Sequence, residues 1–575
     1  MDLTSSTNDR LLLWMGVVLG ISYLLPNHYL PWLSVHGELG AALAFAPLLL
    51  WAAFRAKSTP HLAVGAFMLS LVPIFQLLTG FLSFATDGLM GALYVLSFAL
   101  AVHAGAFCHV DKNSSVKEQT APLYWLAISL LMAALLSVGI QLYQWLMLGN
   151  QGIYVAELAP DSRPYANFAQ QNQLATALLL GVFSLVLLFE TRRLNAAVSL
   201  LAGLFLSVGL AMSGSRSVLL ALTWFLTFYL LLWRRCKLRT SPLAVALVVG
   251  AYLLVSFAWK SINQMLLMSS DVSTAVDRLA DLGSRKLMWA SMVDAIERAP
   301  WAGYGWGQIG HAQTTVALDH PPTYFFFESA HNLFLDMALW SGLPVAIMFA
   351  LGLLFWFGGQ IYNCRDPVRF ALLAGVAAVF SHAMVEFPLN YAYFLLPVGF
   401  WMGTLSAALP SSMRHYAFSS TSRFMFQKCV AAISCAAALV FTLVAYEYFP
   451  LEEDWRLLQF QDKRIGNLDP TEPPPAIILT GLREFLKFSR TSPEPGMSDA
   501  ELLWMRRVYE RYPYGASLFR YAQAQALNGR SEGAQQTLRR LCKMQMSSVC
   551  QSARNEWHLL SVGKYPQLKD IPFPN

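Results

Sequence analysis

Charged side chains are scarce in this chain. Only 13% of its 575 residues are Asp, Glu, Lys or Arg, whereas 56% are hydrophobic and the mean hydropathy is +0.45. This is about half the charged share of a soluble domain, so the composition excludes an ordinary soluble protein and indicates a multispanning membrane protein. The net charge of +6 is small for the length and no long basic run occurs, which argues against nucleic acid as a partner.

Several motifs with known chemistry are also missing. The sequence has no GxxxxGK[ST] loop and no GxGxxG turn that follows a strand, so it lacks the usual phosphate-binding loops for nucleotides. No exterior loop carries an Asp-rich pair that would hold a metal on a nucleotide sugar. The 7 cysteines show no zinc-site spacing. These absences argue against a nucleotide substrate, and we expect no cofactor.

Long apolar runs fill most of the first 448 residues. A helix crosses the hydrocarbon core with about 17 to 25 predominantly apolar residues. The sequence predicts an all-α, polytopic helical membrane protein with about thirteen transmembrane helices. They lie near residues 11–25, 38–54, 62–80, 88–108, 122–148, 172–190, 195–212, 217–233, 243–259, 331–358, 368–386, 390–409 and 427–448.

Basic residues alternate between the loops, and this sets the predicted orientation. Translocation of positive charge is disfavoured, so the loops that contain Lys and Arg are expected in the cytoplasm. The N-terminus is then cytoplasmic and, with an odd number of spans, the tail is exterior. The basic loops contain Arg55 and Lys57, Lys112 and Lys117, Arg192 and Arg193, Arg234 to Arg239, Arg365 and Arg369, and Arg414 to Lys428.

Two long segments fall outside the membrane in this topology. One is a loop at about residues 260–330, and the other is a helical domain at residues 449–575, after the transmembrane domain at 1–448. In the tail, "YGASLFRYAQAQALNGRSEGAQQTLRRLCKM" predicts two helices joined at Asn528 and Gly529, a hairpin of the tetratricopeptide kind. Cys542 and Cys550 would be exterior, where disulfides persist, and could pair or remain free thiols.

The predicted topology gathers polar residues at the exterior ends of the spans. Taken singly, an arginine there usually snorkels to headgroups, a tyrosine anchors the interface and a histidine is structural. Arg216, however, lies in the tight turn "SGSRS" on the side that positive charge avoids, so we expect an anion beside it. The candidates are Arg163 and Gln170 before the sixth span, Arg216, Arg285 with Lys286, His331 at the tenth span, and Glu386, Tyr391 and Tyr393 near the twelfth.

This set of residue types suits one class of reaction. Guanidinium groups hold phosphate oxygens bidentately, so several of them favour a lipid-linked diphosphate. Imidazole titrates near neutral pH, and a histidine beside such a group can remove a proton from an acceptor hydroxyl that attacks a phosphate-activated carbon. The sequence therefore predicts glycosyl transfer from a lipid-linked donor.

Two motifs resemble a known family. His331 and Asn332, followed after nine residues by Gly342, resemble the signature of the O-antigen ligase and polymerase superfamily, whose GT-C-like members use lipid-diphosphate-linked glycans at the periplasmic face. The stretches "RPYANFAQQNQLA" and "VEFPLNYAYFLLP", with the long tail, resemble more closely the bacterial protein O-oligosaccharyltransferases that glycosylate pilins. The resemblance implies no metal, a bacterial inner-membrane location with a periplasmic site, and two substrates: an undecaprenyl-diphosphate-linked oligosaccharide and a pilin or other periplasmic protein.

The resemblance also assigns roles to residues. It implies that His331 is the base with Tyr391 near it, and that Gln170 and Asn172 shape the acceptor or donor site. Arg163, Arg216 and Arg285 would bind the diphosphate, with Lys286, Asn332, Glu386 and Tyr393 in the substrate site. The chain departs from the family pattern at Val345, which is a structural position, and at Ala166, where glycine is usual. Because of the second departure, the resemblance does not determine the backbone conformation of this loop.

Two alternative hypotheses about the function remain. An O-antigen ligase or polymerase would use the same chemistry on another acceptor, and the helical tail argues against it because helical hairpins often bind proteins. A transporter or flippase would carry ionisable residues at the membrane midplane and a repeated half. The spans are mostly uncharged at their centres and no duplication is visible.

Overall fold

The protein is helical throughout its described parts. The computed structural model describes residues 3–56, 58–109, 116–146, 152–158, 162–168, 170–266, 283–410, 420–463 and 472–574. The basic residues Lys57, Lys112 and Arg414 used for the orientation lie outside these ranges. The first nine helices are α1 (Leu3–Tyr23), α2 (Val35–Arg55), α3 (His61–Leu78), α4 (Ala85–Phe107), α5 (Val116–Trp145), α6 (Gln171–Glu190), α7 (Ala196–Ser213), α8 (Arg216–Cys236) and α9 (Pro242–Met265).

Eleven further helices follow in the described residues. Gly283–Arg298 is a helix within the predicted large loop, and helices lie on either side of Asn528 and Gly529, as predicted for the hairpin. The eleven are α10 (Gly283–Arg298), α11 (Ile309–Val316), α12 (Leu333–Asn363), α13 (Pro367–His382), α14 (Ala392–Ala407), α15 (Ser420–Asp462), α16 (Thr480–Arg490), α17 (Asp499–Arg511), α18 (Gly515–Leu527), α19 (Ser531–Met544) and α20 (Ser547–Val562).

Ten helices in the described residues are long and apolar enough to cross a membrane, namely α2 to α9, α12 and α15. The other three predicted spans also form helices, but α13 and α14 have only 16 residues each, and α1 opens with a polar stretch. The short helices arise because residues 383–391 form turns and a 3-10 helix at Pro388–Asn390 where the sequence predicted helix up to residue 386. The multi-pass architecture is confirmed, and the number thirteen stays a prediction.

The chain divides into two compact units. Unit 1 contains Met1–Ser70, Leu93–Asp281 and Gly352–Val440. Unit 2 contains Leu71–Ala92, Leu282–Leu351 and Phe441–Asn575, so the part of the predicted large loop from Leu282 onward and the tail belong to the same unit. The predicted boundary between residues 448 and 449 falls inside α15. A separately folded domain at 449–575 therefore stays a prediction.

Small residues allow close helix packing in unit 1. A Cβ added at Gly105 in α4 would lie 2.0 Å from the carbonyl oxygen of Phe400 in α14, and one at Gly403 would lie 2.0 Å from that of Val102. Only glycine permits such an approach of two backbones, as is usual where transmembrane helices pack. This contact fixes α14, which begins one residue after Tyr391.

In unit 2 the turn that contains Gly303, Gly305 and Gly307 packs against α12. The Tyr304 amide donates to the Leu339 carbonyl at 2.6 Å, and the Leu343 amide donates to the Pro300 carbonyl at 2.7 Å. Gly342 has a φ of 79°, and a Cβ there would lie 2.3 Å from the Trp301 carbonyl oxygen. The glycine of the signature is thus required by a close backbone contact, and the contact anchors the helix that begins beside His331.

The C-terminal helices are held in unit 2 by a buried ion pair. The Arg511 guanidinium lies 2.7 Å from the Asp87 carboxylate, whose side chain is only 2% exposed, and Gln308 donates to the other carboxylate oxygen at 2.8 Å. Burial alone would lower the pKa of Arg511, but the neighbouring Asp87 carboxylate raises it above its ordinary value. Loss of either partner would leave a buried charge, so the pair fixes the position of α17.

Cys542 and Cys550 form a disulfide that joins the end of α19 to α20. Because a disulfide restricts the unfolded chain, closing this short loop should stabilise the C-terminal helices by about 2 to 3 kcal/mol. We expect a Cys542→Ser/Cys550→Ser variant to unfold these helices at a correspondingly lower denaturant concentration, measured by limited proteolysis of the purified protein. A reductant should reproduce the effect in the wild type and have none in the variant; equal stability with and without the bond would contradict the prediction.

Candidate functional site

The loop before α6 carries the first predicted arginine. Arg163 Nη1 donates to the carbonyl oxygen of Ser213, at the end of α7, at 2.5 Å. Gln171, the first residue of α6, donates through its side chain to the Arg163 carbonyl at 3.0 Å. Arg163 is therefore placed where the start of α6 and the end of α7 meet. Gln170 precedes α6 in extended conformation and is half-buried.

The turn between α7 and α8 brings a second arginine to the same place. Gly214 ends α7 in the left-handed conformation with a φ of 56°, and Arg216 is already the first residue of α8. Between them, the Ser215 hydroxyl donates to Asn172 Oδ1 at 2.8 Å. Because Asn172 lies in the first turn of α6, the N-termini of α6 and α8 are tied together. The structure thus brings Arg163, Asn172 and Arg216 together where α6 and α8 begin.

Aromatic rings connect this loop to the start of α14. Phe168 packs on Tyr23 and Tyr393 with ring centroids 5.6 and 6.4 Å apart. The Tyr393 hydroxyl donates to Gln173 at 2.9 Å, and its ring stacks on Tyr391 at 5.3 Å. Tyr393 is only 4% exposed, so its contacts hold the loop in place. Glu386 is also buried, at 7%.

Three polar residues that the sequence analysis did not select hold these segments. The buried Gln144 side chain of α5 donates to the Ala166 carbonyl at 2.9 Å and accepts the Ala166 amide at 2.8 Å. Asn167 donates to the carbonyls of Leu24 and Tyr154 at 2.7 and 2.9 Å. Glu38 accepts the first amide of α14 at 2.6 Å. The sequence feature that could have identified these residues is a polar side chain inside or beside an apolar run.

Ala166 has a φ of 51°, which explains why glycine is usual at this position of the resembling family. We expect Ala166→Gly to change stability by less than about 1 kcal/mol, because relief of the left-handed strain is offset by the greater entropy of the unfolded chain. Ala166→Val should destabilise the protein by about 2 kcal/mol or more, since Ala166 is 0% exposed and a branched side chain resists this backbone. The melting temperature of the purified protein measures both; equal values for the two variants would contradict the prediction.

In unit 2, His331 lies in a strained turn before α12. Its φ is 50°, in the left-handed region that a residue with a side chain rarely adopts. The His331 amide donates to the Ser329 hydroxyl oxygen at 2.9 Å, and that hydroxyl donates to Asp336 at 2.6 Å. Asn332 Oδ1 accepts the amides of Phe334 and Leu335 at 3.0 and 3.1 Å, so it caps α12.

Helix α10 places Arg285 on the same side as this turn. Trp289 Nε1 donates to the carbonyl oxygen of Ala330, directly before His331, at 2.9 Å. Arg285 precedes Trp289 by four residues and so lies on the same face of α10. Arg285 is half-buried, whereas Lys286, on the next face, is exposed. The structure thus brings Arg285 to the face of α10 that contacts the His331 turn.

The predicted site residues therefore form two groups, one in each unit. Unit 1 carries Arg163, Gln170, Asn172, Arg216, Glu386, Tyr391 and Tyr393, and unit 2 carries Arg285, Lys286, His331 and Asn332. Their roles in catalysis and binding stay predictions. Within the described ranges, no three His, Cys, Asp or Glu residues are grouped as metal ligands would be.

Two protein families match parts of this chain, and the matched residues include members of both groups. The family described as O-Antigen ligase matches residues 201–350, which include Arg216, Arg285 and His331. The family described as virulence factor membrane-bound polymerase, C-terminal, matches residues 370–546, which include Tyr391 and Tyr393.

Two curated relatives come from Acinetobacter baylyi. The chain is 27% identical over 535 residues to a general O-oligosaccharyltransferase, covering 92% of this chain and 91% of the relative. It is 25% identical over 415 residues to a ComP-specific O-oligosaccharyltransferase, covering 72% of this chain and 74% of the relative. This chain is therefore a multi-pass membrane glycosyltransferase that is similar over most of its length to O-oligosaccharyltransferases and over part of it to the O-antigen ligase family.

Proposed function

We propose that the protein transfers a preassembled oligosaccharide from an undecaprenyl diphosphate carrier to Ser or Thr hydroxyls of exported proteins such as pilins. The observation that carries the proposal is the similarity to a general O-oligosaccharyltransferase over nine-tenths of both chains. The reaction would take place at the periplasmic face of the bacterial inner membrane, which is the orientation that the basic loops predict.

The unit 1 group suits the diphosphate of the donor. Arg163 and Arg216 lie where α6 and α8 begin, and the Ser215–Asn172 hydrogen bond ties these two N-termini together. Helix N-termini direct amide groups and positive dipole ends at an anion, and guanidinium groups add charge and bidentate hydrogen bonds. The outer ends of apolar helices would let the polyprenyl chain stay in lipid. We assign Arg163, Arg216 and Arg285 to diphosphate binding.

His331 is assigned as the general base. Its imidazole would take the proton from the acceptor hydroxyl as the oxygen attacks the anomeric carbon of the first sugar. A carbon–oxygen bond forms, the bond to the diphosphate breaks, and the electron pair leaves with undecaprenyl diphosphate. Guanidinium groups stabilise the charge that develops on this leaving group. Direct attack inverts the anomeric carbon.

The acceptor is the part of the proposal that separates it from an O-antigen ligase. One relative is named as a ComP-specific O-oligosaccharyltransferase. In this chain the helical hairpin α18 and α19 lies in unit 2, the unit that also carries His331. Lys543 of α19 donates through Nζ to the carbonyls of Leu318 and His320, in the segment that leads to His331. A protein bound to the hairpin would thus be held by an element that is hydrogen-bonded to the segment leading to His331.

Co-expression with a lipid-linked glycan pathway and a candidate pilin tests this function. Intact-mass analysis of the pilin should show a gain of one glycan unit only when this protein is present, and the gain should disappear with the His331→Ala variant. Lipopolysaccharide from the same cells is the second arm. Glycan on lipid A core with an unmodified pilin would favour the ligase, and donor turnover without either product would contradict both.

A further inference from the structure

A buried carboxylate holds the turn that carries His331. Asp336 lies in the first turn of α12 and is only 2% exposed. Its Oδ2 accepts the Ser329 hydroxyl at 2.6 Å, and its Oδ1 accepts the Ala330 amide at 2.7 Å. The same Ser329 oxygen accepts the His331 amide at 2.9 Å. The backbone position of His331 therefore depends on Asp336 through one intervening hydroxyl.

Capping of α12 does not account for this carboxylate. Asn332 already caps the helix, since its side chain accepts the amides of Phe334 and Leu335 and its carbonyl accepts the Asp336 amide at 2.9 Å. Both hydrogen bonds of the Asp336 carboxylate instead go to the chain before His331. A buried carboxylate inside an apolar helix is costly, and such residues are usually functional.

The backbone conformation of His331 is one that neighbouring groups such as the Asp336 carboxylate must stabilise. A left-handed backbone costs a residue with a side chain about 1 to 2 kcal/mol, and the surrounding contacts must maintain it. The amides of Ala330 and His331 are both engaged by the Asp336–Ser329 pair, and the Ala330 carbonyl accepts Trp289. These bonds set the direction in which the imidazole leaves the backbone.

We propose that Asp336 is a positioning residue for the transfer reaction. With Ser329, it keeps His331 in the left-handed conformation and so directs the imidazole at the acceptor hydroxyl. This inference rests on the proposed role of His331 as the base, and it adds two residues to the machinery that neither the signature nor the sequence analysis selected.

The first test compares single variants in the full-length protein. Asp336→Asn keeps an oxygen for the Ala330 amide but replaces the second acceptor by an amide group, so kcat should fall by about 10- to 100-fold while the donor KM changes less than about two-fold. Ser329→Ala should behave similarly, and Ser329→Thr, which keeps the hydroxyl, should recover most of the rate. Asp366→Asn is the matched control, because Asp366 caps α13 through the Arg369 amide at 2.9 Å and should leave kcat unchanged.

Double variants separate positioning from a general loss of structure. If Asp336 and Ser329 act through one hydrogen bond, the Ser329→Ala/Asp336→Asn variant should be no slower than the slower single variant. In a His331→Gly background, Asp336→Asn should cost no further rate. Additive losses, a parallel change of KM and melting temperature, or Ser329→Thr as slow as Ser329→Ala would each overturn the proposal. If the Asp336→Asn variant fails to accumulate, the comparison of Ser329→Ala with Ser329→Thr decides the question.

Failure of this inference is distinguishable from failure of the proposed function. An inactive His331→Gly variant with normal Asp336→Asn and Ser329→Ala variants would remove the positioning role alone. Full activity of His331→Gly would remove the base assignment, and the positioning role with it.

Discussion

Replacement of His331 by alanine or glycine is expected to lower kcat for transfer by about 10²- to 10⁴-fold while the protein still accumulates in the membrane, because an imidazole base contributes about that factor. Two replacements are needed because His331 has a φ of 50°. Alanine keeps the backbone strain of the native residue, whereas glycine adopts this conformation freely. If both variants lose the same factor, the loss belongs to the side chain and not to the turn.

His320→Ala is the matched control for this prediction. His320 is in the same unit, eleven residues before His331, and its Nε2 pairs with Asp294 at 2.9 Å. Its loss should leave the glycan transfer rate within about two-fold, since a half-buried contact between two polar side chains contributes little. Added imidazole should restore part of the activity of His331→Gly and none in a wild-type background. Transfer at the wild-type rate by His331→Gly would exclude the base assignment.

The elements of the fold that hydropathy defines could be predicted from the sequence. Hydropathy is averaged over many residues of a long apolar run, so the prediction is insensitive to single residues. The helices α2 to α9, α12 and α15 therefore appear where the sequence predicts them. The region between α13 and α14 differs, because the predicted run to residue 386 contains no strong breaker before Pro388 and the helix ends at His382. An average over a window does not show where one helix stops.

The candidate site could be predicted only where a residue was itself unusual. Arg216 and His331 stand out because a charged or ionisable group opens an apolar helix. Asp336, Gln144 and Glu38 are equally polar, but each functions through a partner that is distant in sequence or reached around a left-handed turn. Ala166 shows the same limit: its departure from glycine was visible, but the backbone conformation that makes it matter was not.

Binding of the donor's diphosphate should depend on Arg216 and Arg285. Arg216→Ala and Arg285→Ala are each expected to raise the donor KM by about 10- to 100-fold, because a hydrogen bond to a charged group contributes about 1.5 to 3 kcal/mol. Lysine at either position should give a smaller increase, since it keeps the charge and loses the bidentate geometry. Titration of a diphosphate-linked donor at a fixed pilin concentration measures the effect.

Each of these arginines has a control on its own helix. Arg234 lies at the far end of α8 and Arg298 at the far end of α10, where it pairs with Asp294 at 2.8 Å. Alanine at either control position should leave the donor KM unchanged, so a rise confined to Arg216 and Arg285 cannot come from loss of positive charge in general. A monophosphate-linked donor sharpens the comparison, because a diphosphate clamp should discriminate against it in the wild type and lose that discrimination in Arg216→Ala and Arg285→Ala. An unchanged donor KM in both variants would show that the diphosphate is held elsewhere, and the assignment of these guanidinium groups would then fail even if His331 proved essential.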